Sequence, residues 1–172
     1  MKKLLFLLSM SILAITVFSC RSNDNNVDND TYPVALNIQE NFQNSTGSTA
    51  NYLYGIHKSF TQPLGANDVV LIYRQDSSSG TSVWKLLPKS YYFTQGVLDY
   101  HFDFTRNDIQ IYADANFDMN AMDSNFKNTY LNNQVFRVVL IPASGKNASI
   151  KYDDYDAVIK YYKIDESKIQ NL

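Results

Sequence analysis

The chain has 172 residues, with 15 Lys and Arg against 17 Asp and Glu, a formal charge of −2 and 14% aromatic residues. Nothing in that balance favours nucleic acid as a partner, which would need a basic face. A single cysteine excludes an intrachain disulfide, so a core rich in Tyr (13) and Phe (10) must hold by packing alone.

The first element is a processing signal. Lys2 and Lys3 precede an apolar run from Leu4 to Phe18, shorter than the ~20 residues a membrane-spanning helix requires. Val17-Phe18-Ser19-Cys20 closes it as a lipobox, with a small residue before the cysteine. Residues 1–19 therefore read as a lipoprotein signal peptide and Cys20 as the lipidation site. The alternatives are an ordinary secretory signal and an uncleaved N-terminal anchor. Several acyl chains, at ~0.8 kcal/mol per buried CH₂, would hold the protein stably on a membrane. Arg21 replaces the Asp that commonly retains lipoproteins in the inner membrane of diderm bacteria, which favours the outer membrane.

Residues 20–31 are expected to be a flexible tether. Ser22 to Asp30 holds four Asn and three Asp, too little apolar surface to offset the entropy of ordering. An Asp-rich stretch after the lipidated cysteine also resembles the surface-export signal of Bacteroidetes lipoproteins. A plain solvated linker explains it equally well. Without Lys2 and Lys3, the remaining 13 basic and 17 acidic side chains give the mature chain a charge of −4.

Residues 32–172 suit one domain. Val34 to Phe42 alternates and predicts a strand, and Tyr52 to Phe60 a second. Asp68 to Arg74 (DVVLIYR) is apolar at both alternating positions, as an interior strand would be. Val83 to Leu87 follows the Asp76–Gly80 loop, and Tyr91 to Phe93 is a short strand. Val97 to Phe104 has the clearest period of two: Leu98, Tyr100, Phe102 and Phe104 on one face, Asp99, His101 and Asp103 on the other. Asp108 to Ala113 continues as a strand. Phe117 to Tyr130 lacks a period and reads as an irregular crossover with one helical turn. Gln134 to Ile141 (QVFRVVLI) is again apolar on both faces. Tyr155, Val158, Ile159 and Tyr162 then fall on one helix face, with Asp153 as the expected N-cap. The sum is a mainly β chain: an antiparallel β-sandwich, immunoglobulin-like, with about seven strands and a short C-terminal α-helix.

Three groups of side chains qualify as sites. Asp99, His101 and Asp103 share a strand face, and Asp108, Gln110, Tyr112 and Asp114 on the next strand could add a metal ligand. Polar-out alternation accounts for the same residues. Asp114, Asn116, Asp118 and Asn120 match the first four ligand positions of a Ca²⁺ loop, but Met119 stands where Gly turns the loop and Asn125 where Glu closes it. Asx caps explain those residues without a metal. Trp84, Tyr91 and Tyr92 could stack on a glycan or anchor a protein partner, or else belong to the core. No nucleophile elbow, zinc-binding helix or phosphate loop appears, so no catalytic residue and no cofactor is assigned and the chain does not read as an enzyme.

The stretches DVVLIYR, VWKLLPKSYYF, LDYHFDFTRNDIQIY, NQVFRVVLIPA and DYDAVIKYY together resemble an uncharacterised group of small Bacteroidetes lipoproteins. The resemblance covers about residues 34–164 and implies a β-rich domain at the outer membrane, surface-exposed or facing the periplasm. It implies no activity. The expected protein is a lipid-anchored envelope component acting by binding or as a structural part, with a carbohydrate- or Ca²⁺-binding surface module as the alternative.

Overall fold

The computed structural model describes residues 34–45, 53–76, 83–146 and 149–172. The signal segment, Cys20 and the Asn/Asp-rich stretch lie outside them. The described strands are β1 (Val34–Glu40), β2 (Gln43–Asn44), β3 (Leu53–Ser59), β4 (Val69–Asp76), β5 (Val83–Leu86), β6 (Lys89–Tyr92), β7 (Val97–Phe104), β8 (Asp108–Ala115), β9 (Gln134–Ile141) and β10 (Gln170–Asn171). Two α-helices join them, α1 (Ser124–Tyr130) and α2 (Tyr155–Tyr162).

The strands form two five-stranded sheets, β10-β1-β9-β4-β5 and β2-β3-β8-β7-β6. Neighbours run antiparallel except β1 and β10. This is the antiparallel β-sandwich with a C-terminal helix that the periodicity predicts. The strand count exceeds about seven chiefly because β2 and β10 are two-residue edges, too short to show a period.

Alternation along each strand sorts the core into two layers. Ile38, Val70, Ile72, Phe136 and Val138 face Ile56, Leu98, Tyr100, Ile109 and Ile111 across the gap between the sheets. On the other side of the first sheet, Leu71, Tyr73, Val139 and Ile141 lie beneath Tyr155 and Val158 of α2. Strands β4 and β9 are thus apolar on both faces because sheet covers one face and helix the other.

Helix α2 is capped by Asp154, whose Oδ1 accepts the Ala157 amide at 3.0 Å, one residue later than the expected Asp153. The cap must accept from an amide of the first turn, and with Tyr155 leading the helix only Asp154 is in place. Its C-terminus closes at Lys163, which adopts a left-handed φ of 53°. Residues 117–130 are more regular than expected. Asp118 caps a 3₁₀ turn at Met119–Ala121, and Asp123 caps α1 through the Phe126 amide. The period was hidden because α1 has seven residues and buries only Phe126 among polar neighbours. Phe126, Tyr130, Phe93 and Phe117 pack edge-on or tilted, with centroids 5.0–6.0 Å apart, and close one end of the sandwich.

Candidate functional site

At that end a cleft of about 890 Å³ opens between the sheets. Its floor is Arg74. Alternation places Arg74 on the face of β4 that carries Val70 and Ile72, so the guanidinium enters the sandwich and is 3% exposed. The Nε and Nη2 groups both donate to Gln134 Oε1, at 3.0 and 2.6 Å. Nη2 also donates to the Thr129 carbonyl at 2.8 Å, and Nη1 to the Tyr91 hydroxyl at 3.0 Å. Gln134 is held by its own amide nitrogen, which donates to the carbonyls of Thr129 and Asn132 and leaves its oxygen facing the guanidinium.

Three phenol rings surround the same charge. The guanidinium carbon lies 5.3, 4.8 and 5.7 Å from the ring centroids of Tyr91, Tyr100 and Tyr130, within cation–π range. Arg74 forms no ion pair among the described residues. Asp76 is linked to it through a relay, in which the Tyr91 hydroxyl accepts from Arg74 and donates to Asp76 Oδ2 at 3.0 Å. Burial raises the pKa of Tyr91, with Arg74 opposing that shift and Asp76 adding to it. Burial likewise raises that of Tyr100. Both phenols are therefore neutral hydrogen-bonding groups at physiological pH.

Two lysines complete the walls. Lys85 of β5 is the cross-strand partner of Arg74, and Lys89 of β6 is that of Tyr100. Both face the gap between the sheets, and Lys89 Nζ lies 5.9 Å from the Tyr91 centroid. The cleft gathers three cations from three successive strands around one acid, an arrangement suited to holding an anion.

Sequence reasoning singled out Tyr91 and Tyr92 but passed over Arg74, Lys85, Lys89 and Gln134. The available signal was a cation at an inward position of a doubly apolar run, DVVLIYR, where a charge needs a reason. Trp84 does not join the two tyrosines. It lies on the opposite face of the first sheet, 5.4 Å from the Tyr155 ring and 4.6 Å from the Arg137 guanidinium carbon. Tyr92 is 80% exposed and Tyr91 faces the interior, so the three aromatics form no single platform.

The polar face of β7 is solvent-facing, as alternation predicts. His101 stacks on Tyr112 at 4.8 Å, and its Nε2 lies 3.9 Å from Asp114 Oδ2. Asp103 accepts the Tyr112 hydroxyl at 3.0 Å. Asp99 is opposite Asp114 in the β7–β8 register. The four Ca²⁺-loop positions do separate work. Asp114 sits beside His101, Asn116 Oδ1 accepts the Val97 amide at 2.8 Å, and Asp118 Oδ1 accepts the Asn120 amide at 2.9 Å. Among the described residues, no three His, Cys, Asp or Glu side chains cluster as a metal site, and no helix is long and apolar enough to cross a membrane.

Comparison with known proteins finds no matching family model, no matching curated protein and no matching solved structure.

Proposed function

We propose that this chain is a lipid-anchored protein of the bacterial outer membrane whose β-sandwich is a binding module, not an enzyme. The observation that carries the binding role is the cationic cleft around Arg74. The cleft lies far from the start of the described domain. Strand β1 runs from Val34, opposite Leu140, to Glu40, opposite Gln134. Gln134 is a wall of the cleft. The chain that leads back to Cys20 thus joins the domain at the end away from the cleft, about 20 Å distant at ~3.3 Å per strand residue.

Fractionation of cells carrying wild type and Cys20→Ala tests the anchor. Wild type is expected in the membrane fraction. The variant is expected in the soluble fraction with an unchanged thermal unfolding curve, because the core of the described residues is built by strands and helices from β1 onward. Retention of Cys20→Ala on membranes after carbonate washing would remove the support for a lipid anchor. Protease shaving of intact cells then separates a surface-exposed from a periplasm-facing domain.

A further inference from the structure

We propose that the cleft binds a carboxylate-bearing saccharide. The inference rests on the binding-module reading and names its ligand class.

The charge is the first reason. Arg74 and Lys85 stand directly opposite each other on neighbouring strands, and Lys89 faces them from the other sheet. Like charges in directly opposed positions destabilise a sheet, and a buried guanidinium without a direct carboxylate is costly. The mature chain is acidic at −4, so this local excess of cations runs against its overall charge. The nearby acid, Asp76, already accepts the Tyr91 hydroxyl. An anion entering the cleft meets the buried charge of Arg74 at its floor and the two solvated ammonium groups at its rim.

The second reason is donor geometry. A guanidinium has five N–H donors, and Arg74 spends one from Nε, two from Nη2 and one from Nη1 on Gln134, Thr129 and Tyr91. One Nη1 hydrogen is not used in these contacts, and Lys85 and Lys89 line the same cleft. A carboxylate's two oxygens match such a divided set of charged donors.

Size and lining give the rest. A volume of about 890 Å³ falls within the ~300–1,000 Å³ typical of small-molecule sites and far exceeds one inorganic ion. The rings of Tyr91, Tyr92 and Tyr130 line the same space as Asn128, Thr129 and Asn133. A ligand filling this space meets aromatic faces as well as polar groups, and a sugar ring, with C–H faces and hydroxyl edges, suits both, while a carboxylate on it meets the cations.

Isothermal titration of the detergent-solubilised full chain with trigalacturonate, its methyl ester and sodium phosphate tests the proposal. Trigalacturonate should bind, with the ester and phosphate each at least about tenfold weaker, as expected when a charged pair is lost or the sugar contacts are missing. Lys85→Ala and Lys89→Ala, both exposed side chains, should each weaken trigalacturonate about five- to tenfold, and added salt should weaken it further. No binding of trigalacturonate, equal binding of the ester, equal affinity for phosphate, or unchanged affinity in both lysine variants would each overturn the assignment. A membrane-bound chain that binds no trigalacturonate loses the ligand class and keeps the anchor. A soluble chain that binds it loses the anchor and keeps the ligand class.

Discussion

Among the described residues two arginines are buried, Arg74 and Arg137, and their surroundings differ. Arg137, 9% exposed, points to the helix side of the first sheet. Its guanidinium donates to Glu166 Oε2 at 2.7 Å and Asn37 Oδ1 at 2.9 Å, contacts the Tyr155 hydroxyl, and stacks on Trp84. A direct carboxylate balances it, and the result ties the C-terminal segment to the sheet. Arg74 has neutral partners and a phenol relay, which leaves its charge available to the cleft. The same residue scale resolves the Ca²⁺-like spacing. Asn116 holds the Val97 amide beside Gly96, whose φ of 151° favours glycine and where a Cβ would overlap Asn116 Oδ1. Asn116→Ala is expected to lower stability by about 1 kcal/mol, the worth of one backbone-capping hydrogen bond, in chelator as well as in Ca²⁺. An effect confined to Ca²⁺-containing buffer, read by urea denaturation, would instead make Asn116 a metal ligand. The residue types in this loop were legible, but their partners were not, because Val97 is 19 residues away.

At the scale of elements, strands that bury one or both faces were the most legible. Val97 to Phe104 and Gln134 to Ile141 have the predicted bounds, since burial enforces a period that sequence displays. Short elements were not legible: β2, β10 and α1 take their stability from neighbours. The α2 cap separates local from tertiary information, since Asp153 and Asp154 are both plausible capping residues by type. Asp154→Ala should cost about 1 kcal/mol, the usual value of a lost N-cap, whereas Asp153→Ala should be near neutral. Thermal unfolding of the two variants decides it, and equal losses would mean that the helix starts earlier than Tyr155. Register has the same character. The pairing of Arg74 with Lys85 follows from how β4 and β5 align across the intervening loop, and no period in either strand specifies it.

For the whole molecule, packing without disulfides shows in the tyrosines. Burial raises the pKa of Tyr73, Tyr100, Tyr155 and Tyr162, with neighbouring phenols and carboxylates contributing. An acid whose folded pKa is raised favours the folded state fully below its unfolded pKa, about 10 for tyrosine, and loses that contribution as pH climbs beyond it. The domain should therefore unfold cooperatively above about pH 10, with part of its tyrosinate absorbance at 295 nm appearing together with the loss of circular dichroism. If all 13 tyrosines ionise near pH 10 while the dichroism persists, the phenols are not buried as described. By itself the sequence determined the mainly β class, the doubly covered strands and the terminal helix face, because alternation and helical period record which side of each element is dry. Only the tertiary structure decided the cleft. Its cations come from three strands and its hydrogen-bond partners lie up to 60 residues apart, and contacts across that distance depend on register and sheet order, which local patterns do not encode.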